Sequence, residues 1–566
     1  MILKEDSTKQ KLRGAYYTPE RVAEKMVEFF QEDSSIHSIL EPSCGNGVFV
    51  DMVQKKQLLK DGGTMTAIEI EDSEVKKAEK KIYSSADIRL FAMDFFQYYA
   101  ENKDEARFDL ILGNPPYIRY QYLEERQRAE MSEILTEHGM KSNKLINTWV
   151  GFLVACVHLL REKGKIAFVI PAEILQVAYA EELRLFLAKS SSNITLLTFE
   201  ELIFPDIEQE IVIFVGEKSE EEKEENKEEK KKEKNVEKKQ RQKDGQKGIR
   251  IIELNNLEDL QTLKLPENGF QKMNRVHEKW TKYFMSRQEN RLITQMKQDS
   301  RFRKLSDMAL INIGITTGNN KYFSVTKKTV EEYGLEHVVR PLIGRSSHAG
   351  SVYFRKEDWL ANAESGKAAY LIDFPDVPIE TYPKKHRAYI KKGEKNKEHA
   401  GYKCRIRDRW YRVPSIWVPD AFFLRRNNLY PKFVLNCCEA VSTDTMHRIK
   451  FHDGIEPERV VLSYYNSISF AFTEICGRSY GGGVLEILPG ELGNVVLPVL
   501  DKIPLEQVRE ILYQVDEIVR KKEPIEKALD LVDREILVNG LGFEGELCAT
   551  ARKIWKKMQR RRLKRG

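Results

Sequence analysis

The chain has 566 residues, of which 41% are hydrophobic and 32% are charged. This length is too great for one hydrophobic core, so we expect two or three domains. The formal net charge is only +6, and so small an average does not by itself require a polyanionic partner. No apolar stretch is long enough to span a bilayer, and the N-terminal residues lack the pattern of a signal peptide. These features exclude a membrane protein and predict a cytoplasmic one.

The seven cysteines are scattered through the chain. They form no CxxC pair, and no spacing of cysteine and histidine is typical of a zinc site. An odd number without a disulfide framework is typical of a reduced, cytosolic protein. We therefore predict no metal in this protein.

The first part of the chain, from about residue 20 to 216, alternates helical and strand patterns. Apolar residues at helical spacing indicate helices at 21–30, 72–82 and 148–161. Short apolar runs indicate strands at 38–40, 65–70, 108–112, 165–170 and 211–215. This alternation favours an α/β fold with an open, mostly parallel sheet and helices on both faces, which binds ligands at the carboxyl ends of its strands.

A charged run at 217–248 consists almost entirely of Glu, Lys, Gln and Asn. Such a segment cannot offset its own ordering entropy, so we predict disorder or a lone solvated helix. A further strand pattern, Ile249–Leu254, follows it, which indicates an insertion near the end of the first domain. We predict an α/β domain at 1–265, a helical connector at 266–300, and a mixed α+β domain at 301–566 with a helical, basic C-terminus.

The tetrapeptide Asn114-Pro115-Pro116-Tyr117 directly follows the predicted strand 108–112. An exocyclic aryl amine is a poor nucleophile because its lone pair is delocalised into the ring. The Asn114 side-chain oxygen and the Pro115 carbonyl can accept from the two N–H groups of such an amine, and the prolines stiffen the turn. Tyr117 offers a flat face for an extruded base. A plain rigid turn is the alternative, but the position at a strand end favours the chemical interpretation.

A glycine-rich loop, Glu41 to Gly47, follows the first predicted strand. Glycines at such a turn let the backbone approach a bound nucleoside closely. The loop lacks the full GxGxxG of dinucleotide sites and the GK[ST] of phosphate-binding loops, which fits a cofactor without phosphates. Glu69 ends the next strand and can hold ribose hydroxyls, while Asp94 and Phe95 end a third and can bind an adenine amine and cover its ring.

These motifs together resemble the gamma class of DNA adenine-N6 methyltransferases. The resemblance begins at Gly14–Pro19, continues through the segments above and reaches Phe204–Pro205. It is looser in the second half, at Gly314–Gly318, Arg409–Tyr411 and Gly477–Gly483. The class implies a Rossmann-like sheet that binds S-adenosylmethionine, followed by a target-recognition domain. The charged insertion departs from its pattern.

The resemblance also implies a role for each site residue. Cofactor-binding residues are Tyr17, Thr18 and Pro19, which help close the pocket; Glu41, Ser43, Gly45 and Gly47 of the loop; Glu69 at the ribose; and Asp94 and Phe95 at the adenine. Catalytic residues are Asn114, Pro115, Pro116, Tyr117 and Phe204, with Tyr117 and Phe204 on the two faces of a flipped target adenine. Methyl transfer is then a direct in-line attack without a covalent enzyme intermediate.

Basic residues of the second half lie among aromatic ones, a pattern that suits DNA contact. The basic residues are Arg405, Arg407, Arg409, Arg412, Arg425 and Arg426; the aromatic ones are Tyr402, Trp410, Tyr411, Trp417, Phe422 and Phe423. The alternative is a salt-bridged surface over an aromatic core. The basic C-terminus, residues 552–566, is either a phosphate-contacting arm or a solvated, frayed terminus, and the sequence leaves both open.

Other functions are compatible with some of these residues. A methyltransferase of protein glutamine or of ribosomal guanine can share Asn114–Tyr117 but usually lacks so long a C-terminal region. Methylation of the cytosine amine more often uses Ser or Asp at position 114. Methylation at carbon 5 of cytosine needs a Pro-Cys pair, which is absent. A catalytically silent DNA-binding subunit is the rival from another class, and the intact motifs oppose it.

The expected partners follow from this interpretation. We expect double-stranded DNA as the substrate, action as a monomer, no membrane, and a restriction-modification role in which a separately encoded restriction endonuclease is a possible partner. The chain shows no ExK pattern with usable spacing, so we predict no nuclease activity of its own.

Overall fold

The computed structural model describes residues 17–83, 87–142, 146–201, 203–204, 210–220, 248–273 and 278–564. The chain divides into two compact units, one ending at Arg287 and one beginning at Gln288. The boundary falls at the start of a helix, Arg287–Gln298, inside the segment for which we predicted a connector. The predicted three-part division stays a prediction. Most of the charged run, 221–247, lies outside the described residues.

The first unit is built on a nine-stranded sheet with the order β3-β2-β1-β4-β5-β7-β6-β8-β9. Its strands are β1 (Ser38–Glu41), β2 (Thr64–Glu69), β3 (Asp87–Ala92), β4 (Phe108–Gly113), β5 (Leu160–Pro171), β6 (Ser191–Phe199), β7 (Ile211–Lys218), β8 (Gly248–Leu254) and β9 (Gln271–Lys272). Neighbours from β3 to β5 are parallel, β7 is antiparallel to β5 and β6, and β8 is parallel to β6. The predicted α/β fold with a mostly parallel sheet is confirmed.

The helices of this unit follow the sequence periodicity. They are α1 (Glu20–Glu28), α2 (Val48–Lys55), α3 (Asp72–Glu79), α4 (Phe95–Asn102), α5 (Glu125–Glu137), α6 (Thr148–Leu159), α7 (Glu181–Ser190) and α8 (Leu257–Thr262). The next helix, α9 (Arg287–Gln298), begins at the boundary, and all its residues after Arg287 belong to the second unit. The apolar runs of β4 and β5 form the centre of the sheet, where Leu110–Leu112 and Ala167–Ile170 are fully buried. Strands buried on both faces need such continuous apolar runs.

The second unit is a mixed α+β domain with four small sheets. Its strands are β10 (Phe302–Lys304), β11 (Ala309–Ile313), β12 (Ser324–Val325), β13 (Val339–Ile343), β14 (Tyr353–Phe354), β15 (Tyr370–Ile372), β16 (Ala421–Leu424), β17 (Arg426–Asn427), β18 (Phe433–Asn436), β19 (Val441–Ser442), β20 (Met446–Phe451), β21 (Arg478–Tyr480), β22 (Val484–Glu486) and β23 (Val496–Pro498). The largest sheet has the order β11-β20-β16-β18-β14. The predicted mixed α+β class is confirmed.

Helices surround these sheets. They are α10 (Asn320–Phe323), α11 (Lys327–Tyr333), α12 (Lys356–Glu364), α13 (Lys384–Lys395), α14 (Tyr402–Arg405), α15 (Pro457–Tyr464), α16 (Ser467–Cys476), α17 (Pro489–Gly493), α18 (Leu505–Arg520), α19 (Ile525–Val532) and α20 (Gly545–Leu563). Helix α18 carries an apolar stripe that is buried as core.

The structure of the basic C-terminus contradicts one of our two alternatives, the frayed terminus. Up to Lys564 it is a packed helix, α20, and not a frayed terminus. The side chain of Arg562 is only 1% exposed and forms an ion pair of 2.8 Å with the equally buried Glu474. Arg562 is therefore a structural residue and is not available to a phosphate. No helix in the described part of the chain is long and apolar enough to cross a membrane.

Candidate active site

The predicted site residues of the first unit meet at one edge of the sheet. The strands β3, β2, β1 and β4 are parallel neighbours, so their carboxyl ends lie side by side. Glu41 ends β1 beside Ala67 of β2, and Glu69 ends β2 beside Ala92 of β3. Asn114 directly follows β4. Ligands of open α/β sheets bind at this edge, so the sheet brings the predicted cofactor loop and the predicted catalytic tetrapeptide together.

The tetrapeptide is tied to its neighbours by two hydroxyl groups. The Tyr117 hydroxyl lies 2.9 Å from Asn114 Oδ1 and 3.0 Å from the main-chain oxygen of Val169 in β5. The Ser43 hydroxyl donates to the main-chain oxygen of Asn114 at 3.3 Å. Ser43, predicted as a cofactor residue, thus links the glycine-rich loop to the tetrapeptide. Tyr117 is 9% exposed, and its hydroxyl orients the side chain that it contacts.

Thr148 is a residue of the site that the sequence interpretation missed. It begins α6 and is buried. Its Oγ1 donates to the Pro116 carbonyl oxygen at 2.5 Å and accepts from the Ile118 backbone N–H at 2.9 Å. These two bonds clamp the chain on either side of Tyr117. No local pattern marks Thr148, because the contact spans about thirty residues of sequence.

Glu41 is a buried carboxylate at the end of β1, 1% exposed. Its Oε2 has no hydrogen-bond partner within the part of the chain that the structure describes. Burial, and next the negative charge of Glu69, raise the pKa of Glu41 well above its ordinary value. An unpaired buried carboxylate is costly, so this atom fits the cationic part of a ligand.

Glu69 and the two glycines shape the loop. The Gly45 backbone N–H donates to Glu69 Oε2 at 2.8 Å, and the Glu71 N–H donates to Oε1 at 2.9 Å. A carboxylate has about four lone-pair positions, so acceptor capacity remains for hydroxyls. Burial raises the pKa of Glu69. Gly47 has φ +77°, and a Cβ there would lie 2.9 Å from Ala78; only glycine allows α2 and α3 to approach so closely.

Asp94 and Phe95 lie at the start of α4. Asp94 caps this helix by accepting from the Phe96 N–H at 2.7 Å, and its other oxygen accepts from Gln127 Nε2, also at 2.7 Å. Gln127 belongs to α5 and was not predicted as a site residue. The Phe95 ring is buried and its centroid lies 4.7 Å from that of Phe152. The carboxyl group is thus fixed in place, with part of its acceptor capacity already used.

The outer residues of the predicted site are less fully described. Of the segment Gly14–Pro19, residues 14–16 lie outside the described residues. Thr18 is buried, whereas Tyr17 is 46% exposed, with Lys77 Nζ 5.8 Å from its ring centroid. Phe204 is 3% exposed and lies between β6 and β7, but residues 205–209, which include Pro205, lie outside the described part.

The predicted basic cluster of the second unit is largely salt-bridged. Arg409 and Arg412 both pair with Asp376, and Arg425 and Arg426 both pair with Glu486. The aromatic residues Tyr411, Phe422 and Phe423 are buried core. For these residues the alternative of a salt-bridged surface over an aromatic core describes the structure better than a DNA-contacting cluster. Arg405 and Tyr402 are exposed.

Two family models match the chain. The model described as "Eco57I restriction-modification methylase" matches residues 20–204, and the one described as "Type II methyltransferase M.Eco57I, C-terminal domain" matches 277–537. The type II methyltransferase M.AccI of Acinetobacter calcoaceticus is 24% identical over 92% of this chain and 92% of its own length. Both units of the chain are therefore similar to type II restriction-modification methyltransferases.

Other similar proteins agree with this assignment. The type II methyltransferase M.HincII of Haemophilus influenzae is 29% identical over 37% of this chain and 38% of its own. The solved type IIL restriction-modification enzyme MmeI, in complex with DNA, has a TM-score of 0.56 at 13% identity, over 96% of this chain and 75% of that one. The latter likeness shows the fold alone.

The methylation of DNA is therefore the activity of this methyltransferase. The methyltransferases to which it is similar imply S-adenosylmethionine as the methyl donor. The residues of the sheet edge fit such a donor: a nucleoside with hydroxyls and a cationic amino-acid part needs acidic acceptors and a close-approaching backbone, which Glu41, Glu69 and the Gly45–Gly47 turn supply.

Proposed function

We propose that this methyltransferase transfers the methyl group to N6 of an adenine that is flipped out of a specific site in double-stranded DNA. The observation that carries the proposal is the side-chain oxygen of Asn114, which lies directly after β4 and is oriented by the Tyr117 hydroxyl at 2.9 Å. Asn114 also belongs to the tetrapeptide Asn114–Tyr117, which resembles the motif of the gamma class of DNA adenine-N6 methyltransferases.

The chemistry required is activation of an amine. Two acceptors aimed at the N–H groups of adenine N6 draw the nitrogen toward tetrahedral geometry, which frees its lone pair for attack on the methyl group. Asn114 Oδ1 and the Pro115 carbonyl oxygen supply these acceptors. Their preorganisation matters because hydrogen bonds aimed at developing charge contribute most when no reorganisation is needed. The bonds from Ser43, Tyr117 and Thr148 hold the loop in one conformation.

The cofactor-binding residues are assigned as follows. Bound S-adenosylmethionine supplies an electrophilic methyl group on a sulfonium. In our proposal the carboxylate of Glu41 accepts from the ammonium group, Glu69 from the ribose hydroxyls, and Asp94 from the adenine amine. Tyr17, Thr18, Pro19 and Phe95 close the pocket, and Ser43, Gly45 and Gly47 form its loop. The Oε2 atom of Glu41, which has no hydrogen-bond partner among the described residues, supports this assignment.

Extrusion of the target base costs a few kcal/mol. Tyr117 and Phe204 are proposed to offset that cost by stacking on the two faces of the adenine.

The protein is proposed to act as a monomer, since a single active site suffices to methylate one strand. A separately encoded restriction endonuclease that cleaves the unmethylated site is its proposed genetic partner.

The product identifies the activity. The purified protein is incubated with methylation-free plasmid and methyl-labelled cofactor, and the digested nucleosides are separated by mass. We expect N6-methyladenine from the wild type, none from Asn114→Ala, and an unchanged yield from Asn539→Ala, the same substitution at an exposed asparagine. Labelled N4-methylcytosine, or equal activity of the Asn114 variant, would refute the proposal.

A further inference from the structure

One segment of the second unit is strongly basic. Residues 384–409, called here the basic segment, contain eleven lysines and arginines and three acids. The excess of eight positive charges is larger than the net charge of +6 of the whole chain. It comprises α13, α14 and the turns that follow each of them. A charge of this size concentrated in one segment attracts a polyanion.

Several cations of the basic segment face solvent without an acidic partner. Lys384, Lys391 and Lys395 are seven and four residues apart, which places them on one face of α13, and they are exposed, as are Lys403 and Arg405 on α14. None of the five forms an ion pair with any of the described residues. They contrast with Arg409 and Arg412, which share Asp376. The charge of the first group is therefore available to a partner.

This surface is rigidly supported. A Cβ on Gly393 of α13 would lie 2.5 Å from the rings of Trp410 and Tyr322, so the helix rests directly on these aromatic residues. Gly318 has φ +83°, and a Cβ there would lie 2.8 Å from Lys403 Cβ. The Arg407 guanidinium donates to the Thr316 carbonyl oxygen at 3.2 Å. The cations thus project from fixed backbone, which lowers the entropic cost of binding.

Two large apolar side chains lie among these cations. Tyr402 is 65% exposed and Ile406 is 59% exposed. They are four residues apart, and Lys403 and Arg405 lie between them in sequence. Cations beside exposed aromatic and apolar side chains are typical of surfaces that contact the phosphates and bases of nucleic acids.

We propose that the basic segment is a DNA-contacting surface of the second unit, in which Lys391, Lys395, Lys403 and Arg405 contact phosphates and Tyr402 and Ile406 make apolar contact with the duplex. The inference rests on the DNA-methylating function and extends its substrate contact to Lys391, Lys395, Lys403 and Ile406, which the predicted cluster of arginines and aromatic residues does not include. Phosphate contact implies release of condensed counterions, so binding must weaken with salt at a slope of about 0.9 per contact.

The test compares two fourfold variants with equal loss of charge. One carries K391Q, K395Q, K403Q and R405Q; the other carries K502Q, K521Q, K522Q and K527Q, which alter exposed lysines elsewhere in the same unit. Binding of the full chain to a labelled 30-base-pair duplex is measured by fluorescence anisotropy at several salt concentrations, without methyl donor.

We expect the first variant to bind roughly tenfold or more weakly at moderate salt, with the logarithmic salt slope reduced by about 3 to 4. The control variant keeps most of the wild-type slope. Tyr402→Ser is expected to weaken binding about fivefold with an unchanged slope, because an apolar contact releases no counterions. An equal slope in both fourfold variants would overturn the inference, as would tighter binding of the wild type to RNA than to duplex DNA.

The result of this DNA-binding test can be distinguished from the result of the test of the proposed N6-adenine methylation. Binding is measured without methyl transfer, so the identity of the methylated base has no influence on it. If the first fourfold variant binds DNA as the wild type does, the basic segment is excluded while N6-adenine methylation stands. If the product is not N6-methyladenine but the salt slope falls as expected, the surface assignment stands alone.

Discussion

The hydroxyl oxygen of Tyr117 lies 2.9 Å from Asn114 Oδ1 and 3.0 Å from the carbonyl oxygen of Val169. A hydroxyl has one proton, so it donates to one of these acceptors at a time. In either case the contact couples the candidate catalytic amide to β5. We interpret Tyr117 as having two roles, a face for the target base and a support for Asn114.

Replacement of Tyr117 by phenylalanine separates these roles. The ring remains, but the hydrogen bond to Asn114 is lost. We expect kcat to fall roughly tenfold, which corresponds to about 1.4 kcal/mol and lies within the usual contribution of one hydrogen bond, with little change in the KM for S-adenosylmethionine. Steady-state kinetics measure both constants. Tyr513→Phe, which removes an exposed hydroxyl, is the control, and wild-type kcat in Tyr117→Phe would show that the bond is dispensable.

Thr148 tests the clamp on the tetrapeptide. Thr148→Val keeps the shape of the side chain but leaves the Pro116 carbonyl and the Ile118 N–H without this partner. We expect the free energy of unfolding to fall by about 1–3 kcal/mol and kcat to fall at a temperature where the variant is still folded. Denaturant titration and kinetics measure these effects. Thr148→Ser should restore both; a serine variant as impaired as the valine variant would indicate a packing role instead.

The raised pKa of Glu41 predicts a pH dependence of cofactor binding. Burial favours the protonated carboxyl, whereas an ammonium group favours the carboxylate, so binding should release a proton and strengthen as pH rises above about 5. Calorimetry near pH 6 in two buffers with different ionisation enthalpies measures the proton released. Glu41→Gln should abolish the release and weaken binding.

Linkage gives the sign of the accompanying effect on stability. A carboxyl with a raised folded-state pKa contributes stability at low pH that is lost as pH rises through that pKa. Cofactor-free Glu41→Gln should therefore gain in free energy of unfolding relative to the wild type as the pH rises from 5 to 8. A constant difference between the two proteins across this range would contradict the assigned titration.

Arg562 tests whether the basic C-terminus is structural. Its guanidinium donates to both carboxylate oxygens of Glu474 and to the carbonyl oxygen of Asn428. Removing one partner of a buried ion pair costs about 3–5 kcal/mol, so Arg562→Ala should be strongly destabilised in thermal or denaturant unfolding. Lys553→Ala, at an exposed position of the same helix, should lie within about 0.5 kcal/mol of the wild type. Near-wild-type stability of Arg562→Ala would contradict a structural role for Arg562 and favour the interpretation of the C-terminus as a phosphate-contacting arm.

The sequence predicts the sheet well because its signals are local. The apolar runs and the residues that end them place Glu41, Glu69 and Asn114 after β1, β2 and β4, and parallel strands then bring these residues to one edge. The apolar runs do not show whether a strand is parallel or antiparallel to its neighbours. The run Ile211–Val215 is as apolar as its neighbours, yet β7 is antiparallel.

Contacts between distant segments could not be predicted. Thr148 and Gln127 carry no motif, and only the folded chain shows that they bond Pro116 and Asp94. The same limit applies to the arginines of the second unit. Sequence shows Arg409 and Arg412 beside aromatic residues, but not that both pair with Asp376, more than thirty positions away.

The most direct test of the account maps methylation in a living cell. The chain and its Asn114→Ala variant are expressed separately in a bacterial host without DNA methylation, and modified bases are located by single-molecule sequencing. The account predicts N6-methyladenine at one short motif with the wild type and none with the variant. Unmodified DNA from a wild-type protein that binds S-adenosylmethionine, or a modification other than N6-methyladenine, would contradict it.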